Sequence, residues 1–135
     1  MAEGRPNRRV LVVEDDPSVA QVLAGALELD EYEVRTAAHG GEALGVLTAW
    51  RPDVIVLDLM MPVMDGWTFR EEQRRRAALR GIPVVVVSAS RHLDARTAGM
   101  DAAAVVPKPF DLDALLDTVR RVSGLTGTDR AAERQ

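Results

Sequence analysis

The sequence predicts an α/β domain: a five-stranded parallel sheet in the order 2-1-3-4-5, doubly wound, with helices on both faces. Three observations carry this. Short, fully apolar runs recur at Val10–Val13, Val54–Leu57 and Val84–Val87, the pattern of strands covered on both sides. Stretches with apolar residues on one helical stripe lie between them. Length, 135 residues, and a composition of 47% apolar and 28% charged residues suit one globular domain. Strands alternating with one-sided helices give a parallel sheet with crossover helices. With five strands, the winding reverses between the first and third, and ligands bind beyond the carboxyl ends of those two.

The elements follow in order. Residues 1–7 are polar and contain Gly and Pro, so they are expected to be flexible. The strand Val10–Val13 runs into Glu14-Asp15-Asp16-Pro17, where Asp16 suits an N-cap and Pro17 the first helical turn. The following helix is predicted to bury Val19, Val22, Leu23, Ala26 and Leu27. Tyr32–Thr36 reads as a short strand and Gly40–Trp50 as a second helix. Val54–Leu57 is a strand, and the loop DLMMPVMDG (58–66) carries Pro and Gly punctuation. Trp67–Arg80 reads as a helix with a charged outer face, broken by Gly81-Ile82-Pro83. After Val84–Val87 come a short helix, Arg91–Ala98, and a last strand, Ala103–Val106, closed by Pro107. Asp111 caps a final helix with Leu112, Leu115, Leu116, Val119 and Val122 on one stripe. The domain spans 8–122, and 123–135 is expected to be a flexible tail or linker.

Several function classes are excluded or disfavoured. No Cys is present, so a disulfide scaffold, a thiolate metal site and a Cys nucleophile are out. No apolar run approaches the ~18–20 residues of a membrane helix, and the MAEGRPNRR start has no apolar leader, so no membrane role and a cytoplasmic location are expected. The net charge of −4 disfavours direct nucleic-acid binding. No Gly-rich phosphate loop follows the first strand. Of 17 basic residues, 16 are Arg and one is Lys108; a single lysine in an arginine-rich chain points to a need for a compact ammonium.

The strand ends hold the chemistry. Glu14 and Asp15 follow the first strand, Asp58 the third, Ser88 the fourth, and Lys108 the fifth. Two carboxylates ~4 Å apart repel by ~4 kcal/mol at an effective dielectric of 20. Three together need a proton or a cation, and an all-oxygen set without His or Cys suits Mg²⁺. A carboxylate beside such an ion is a plausible nucleophile toward phosphorus. Ser88 and Lys108 offer a hydroxyl and a point charge for phosphoryl oxygens.

Plainer readings account for other residues. Acids at a helix start are favoured by its dipole, which explains Asp16 but not Asp58 on another strand. Met60, Met61 and Met64 are read as gap fillers rather than a copper site. His39 and His92, with no partners at ligand spacing, are read as solvated, and Arg74-Arg75-Arg76 as a wet helix face.

The segments VLVVEDDP, VIVLDLMMPVMDG, IPVVVVSAS and PKPF resemble, in this order, those of the receiver domain of two-component response regulators. The resemblance covers about residues 8–122. Asp58 lies 43 residues after Asp15, and Ser88 lies 30 after Asp58, spacings similar to the family's. The resemblance implies a flavodoxin-like fold with the same strand order. It implies that Asp58 accepts a phosphoryl group from a phosphohistidine of a sensor histidine kinase or phosphotransfer protein. It also implies that Asp15, Asp58 and the Met60 main-chain carbonyl ligate Mg²⁺, with Glu14 acting mostly through water, and that Ser88 and Lys108 hold phosphoryl oxygens. Phosphorylation would then repack the face of the fourth helix, fifth strand and fifth helix for a downstream protein. Slow loss of the phosphate to water is expected, but no enzymatic turnover.

Three departures from the family stand out. Val105 occupies the position of the aromatic three residues before Lys108. Ser88 to Lys108 is 20 residues, about two fewer than the family's usual interval, so the fourth helix should be short or tilted. Ala103-Ala104 replace an acidic pair common in DNA-binding regulators, which argues for a monomer or weak dimer. A stand-alone receiver, or a fragment of a larger regulator ending in a linker, is expected. A phosphorylation-independent binding module on the same fold is the alternative. An aspartyl-nucleophile hydrolase is disfavoured because Met60 stands where such enzymes carry their acid/base Asp.

Overall fold

The computed structural model describes residues 8–89 and 95–124, without the Arg96 side chain. The segments 1–7 and 125–135, residues Arg91–Asp94 of the anticipated fourth helix, and with them His92, lie outside the described residues.

The elements are β1 (Arg9–Val13), α1 (Pro17–Leu29), β2 (Glu33–Ala37), α2 (Gly40–Leu47), β3 (Val54–Asp58), α3 (Gly66–Arg75), β4 (Val84–Ala89), α4 (Ala95–Ala98), β5 (Ala104–Lys108) and α5 (Leu112–Gly124). All pairings are parallel and the order is β2-β1-β3-β4-β5, as the sequence predicts. Alternate strand residues divide the core in two. Leu11, Val13, Ile55, Leu57, Val84 and Val86 face Ala43, Leu47, Trp67 and Phe69 of α2 and α3. Val10, Val12, Val54, Val56, Val85 and Val87 face Leu23 and Leu27 of α1 and Leu115, Val119 and Val122 of α5. Burying each such side chain is worth about 1.5–3 kcal/mol, so both sheet faces need cover, and the unbroken valine runs follow from that.

Asp16 caps α1 by accepting from the Ser18 and Val19 N–H groups, with Pro17 at the helix start. The α1 stripe is rotated from the expected one. Ala20, Leu23 and Leu27 are buried, while Val22 is 60% exposed. Leu23 and Leu27 centre the buried face, with Val19 packed against it, and Val22 falls outside it although its residue type reads as core. The strand β2 begins at Glu33, one residue after Tyr32. The helix α2 stops at Leu47, and Trp50 is buried in the turn that follows.

The helix α3 ends at Arg75 and not near Arg80, because Arg76 is extended (φ −103°, ψ 113°). The cause is Gln73, fully buried, whose amide donates to the Leu79 and Ile82 carbonyls and folds residues 76–82 back as turns. Arg74, Arg75 and Arg76 are exposed, as expected; Arg75 and Arg76 pair with Glu72. Pro107 lies inside β5 and does not close it, which an edge strand tolerates. His39 is not merely solvated: its Nδ1 accepts from the Glu42 N–H and caps α2. Met61 and Met64 pack on the core, but Met60 is 51% exposed and fills no gap. Among the described residues, no helix is long and apolar enough to cross a membrane.

Candidate functional site

The carboxyl ends of β1, β3, β4 and β5 bring Glu14, Asp15, Asp58, Ser88 and Lys108 to one edge of the sheet. Glu14 directly follows β1 and is held there by its own N–H, which donates to the Ala37 carbonyl at 2.9 Å. Its carboxylate accepts from the Asp16 N–H at 3.1 Å. Asp58 is the last residue of β3 and pairs in register with Val87, so Ser88 lies one step beyond it on the neighbouring strand. Glu14, Asp58 and Ser88 are all buried, whereas Asp15 is exposed. Carboxylate oxygens of Glu14, Asp15 and Asp58 lie within 4.8 Å of one another.

Lys108 ends β5 and reaches across the sheet edge. Its Nζ is 3.4 Å from Glu14 Oε1 and 3.6 Å from Asp58 Oδ1. That reach is the physical use of the single lysine: one point charge serves two acids from different strands. Burial pushes the Glu14 carboxyl up from its ordinary value, more than its bond to the Asp16 N–H and the nearby Lys108 bring it down. Burial likewise pushes Asp58 up against the opposing pull of Lys108 and of the Leu59 and Met60 N–H groups, with Asp15 adding to the rise. One ammonium thus under-compensates the cluster. Three carboxylates with no softer donor among them fit a hard divalent cation such as Mg²⁺.

The loop after Asp58 is fixed by close backbone contacts. The Gly66 N–H donates to the Leu59 carbonyl at 2.8 Å. A Cβ at Gly66 would stand 2.5 Å from the Asp58 carbonyl oxygen, so glycine is needed for the approach. Gly40, at the start of α2, donates to the Met64 carbonyl at 3.0 Å. Between Pro62 and Met64 the loop closes a γ-turn, with Met64 N–H bonded to the Pro62 carbonyl and Val63 at φ 65°. Asp65 caps α3 through the Thr68 N–H.

Sequence reasoning placed the acids, the serine and the lysine at the strand ends, and the structure has them at that edge. It missed the polar face of α3, which grips the approach to β5. Trp67 Nε1 donates to Thr97 Oγ1 at 3.1 Å. The buried Arg70 guanidinium donates to the Met100 and Asp101 carbonyls, both at 2.9 Å, and to Gln73 Oε1 at 2.8 Å. Arg74 reaches the Gly99 carbonyl. The spacing of Trp67, Arg70 and Arg74 on one helical stripe was the available signal; charged residues there read as surface. Val105, in register with Val86, is 43% exposed on β5.

The chain matches the response regulator receiver domain family over residues 10–120. The response regulator MprA of Mycobacterium tuberculosis is 39% identical over 127 residues, 93% of this chain and 54% of that protein. The MprA of Mycobacterium leprae is 39% identical, over 93% of this chain and 55% of its own length. The chain thus spans about half the length of the curated relatives it matches. Among solved structures, the receiver domain of Francisella response regulator 1452 superposes with a TM-score of 0.81 at 30% identity, covering 90% of this chain and all of that one. The chemotaxis response regulator CheY4 of Vibrio cholerae gives 0.79 at 34% identity over 86% of this chain and 98% of that one. The response regulator TrrA of Thermotoga maritima, solved in complex with Mg²⁺–BeF, gives 0.76 at 29% identity over 85% and 98%.

Proposed function

The chain belongs to the response regulator receiver domain family, and from that premise we propose that it accepts a phosphoryl group on Asp58 and thereby switches a protein-binding surface. The observation that carries this reading is the convergence of Glu14, Asp15, Asp58 and Lys108 at the carboxyl edge of the sheet. An Asp58 carboxylate oxygen attacks the phosphorus of a phosphohistidine. The P–N bond breaks, the imidazole leaves, and an acyl phosphate forms on Asp58. The Lys108 ammonium, already shared between Glu14 and Asp58, turns to the new phosphoryl oxygens, and the Ser88 hydroxyl donates to another. Glu14, Asp15, Asp58 and the Met60 main-chain carbonyl would hold Mg²⁺, Glu14 mostly through water. When bound, the ion neutralises charge around the transferred group.

The phosphodonor is a sensor histidine kinase or a phosphotransfer protein in the cytoplasm. The product is read by a downstream protein at the α4-β5-α5 face, with the domain a monomer or weak dimer. Its phosphate is lost slowly to water, without turnover of outside substrates. In the presence of Mg²⁺, acetyl phosphate should add one phosphoryl mass to the intact protein and none to Asp58→Asn. Equal gain in both, or none in wild type, would overturn the proposal. The exposed Val105 favours one alternative, a binding module indifferent to phosphorylation; partner capture unchanged by Asp58→Asn in the presence of the donor would support that reading instead.

A further inference from the structure

We infer that the groove between α3 and α4 is an oxyanion site, in which Arg70 and Arg74 hold a single phosphate group. One wall is a helical stripe of α3: Trp67, Arg70, Glu71 and Arg74, at i, i+3, i+4 and i+7. Opposite stand Ala95, the first residue of α4, and Gly99, just past its end. Ala95 has only a methyl group and Gly99 no side chain, so an open notch of about 170 Å³ remains between the two elements. Pockets for drug-sized ligands hold roughly 300–1,000 Å³, so this space suits one small group.

Arg70 is the unusual member of the stripe. It is 6% exposed, and charged side chains are rarely buried so far without an opposite charge. Here its partners are neutral. Nε donates to the Met100 carbonyl and Nη2 to the Asp101 carbonyl, both at 2.9 Å, and Nη1 donates to Gln73 Oε1 at 2.8 Å. These bonds use three of its five N–H groups. Arg74 is exposed and donates to the Gly99 carbonyl at 3.0 Å. Among the described residues, neither guanidinium forms an ion pair with a carboxylate. Burial and the Arg74 charge push the Arg70 guanidinium down from its ordinary value, and Asp101 only partly offsets them. The fold thus holds two like charges together at an open notch, the converse of the acids at the sheet's carboxyl edge.

An anion between the two arginines relieves this deficit. It accepts charge-assisted bonds from N–H groups that the carbonyls leave over, and it offsets the repulsion between the guanidiniums. A carboxylate is matched by the fork of one arginine, whereas the oxygens of a phosphate can face both. Glu71 lies exposed on the rim and opposes the anion.

The test records N–H NMR spectra of the full chain without divalent cation, at fixed pH and ionic strength, while sodium phosphate replaces sodium chloride. The Arg70 Nε–H and Trp67 indole signals should shift and saturate. Arg74→Gln should weaken the affinity about tenfold, the worth of one charge-assisted hydrogen bond. Glu71→Gln should tighten it about two- to threefold. Both residues are exposed, so neither change disturbs the core, and cooperative melting checks this. Asp58→Asn should leave the shifts as in wild type, which separates this groove from the acid cluster. Equal affinity for glycerol 3-phosphate identifies the ligand as the head group of a phosphomonoester; affinity for inorganic phosphate alone identifies free phosphate. Shifts that never saturate, that Arg74→Gln leaves unchanged, or that Asp58→Asn removes would overturn the site.

Discussion

Glu14 and Asp58 gain less from Lys108 than they lose by burial, and this has a measurable consequence. Both carboxyls are raised above their ordinary values of 4.5 and 3.8, so the folded state binds their protons more tightly than the unfolded chain does. The resulting cost to stability is absent below those ordinary values. It grows as pH rises through the raised folded values and is complete above them. Stability without a divalent cation should therefore fall with rising pH in the acid range on account of these two groups. Asp58→Asn should flatten part of that slope and raise stability at neutral pH by roughly 1 kcal/mol, read by urea unfolding across pH. An unchanged slope would show that the cluster is not under-compensated. The glycine after the acidic loop makes a second residue-scale test. Gly66→Ala drives a Cβ to 2.5 Å from the Asp58 carbonyl oxygen and 2.8 Å from Leu59 Cα, both backbone atoms. It should cost about 2–3 kcal/mol, seen as a lower urea midpoint.

At the scale of elements, the loop from β3 to α3 stores strain at Val63, a β-branched residue at φ 65° whose side chain makes little use of burial, being 86% exposed. A left-handed L-residue costs about 1–2 kcal/mol, and Asn bears it better. Val63→Asn should stabilise the domain by about 0.5–1 kcal/mol, raising the melting temperature without changing the fold. The same scale shows where the sequence was readable and where it was not. Strands β1, β3 and β4 were legible because both faces of each are buried, leaving the unbroken apolar runs Val10–Val13, Val54–Leu57 and Val84–Val87. The end of α3 was not, because Arg70 and Gln73 are buried polar residues that read as surface until their carbonyl partners are known. The phase of α1 failed at Val22 because the buried face centres on Leu23 and Leu27 and leaves Val22 outside it. Pro107 marked a stop in the sequence, yet β5 runs through it as an edge strand. Of the site, the residue types at the strand tips could be named. The span of Lys108 to both Glu14 and Asp58, and the approach of Gly66 to Asp58, depend on twist and register and could not.

The whole molecule separates scaffold from site cleanly. Two apolar layers clamp the sheet, while the acids sit at its carboxyl edge and oppose one another. A ligand that relieves this repulsion must stabilise the entire fold. Mg²⁺ at tenfold excess over its Kd should add about 1.4 kcal/mol, visible as a rise in Tm, and Asp15→Asn should abolish the rise while leaving the cation-free fold intact. An equal rise in that variant would place the ion elsewhere. The central claim, that Asp58 carries the phosphoryl group, is tested most directly by locating the modified side chain. After loading with acetyl phosphate and Mg²⁺, borohydride reduction and peptide mapping should find homoserine at position 58. Homoserine at Asp15 instead, or a phosphate that resists borohydride and maps to Ser88, would contradict the account.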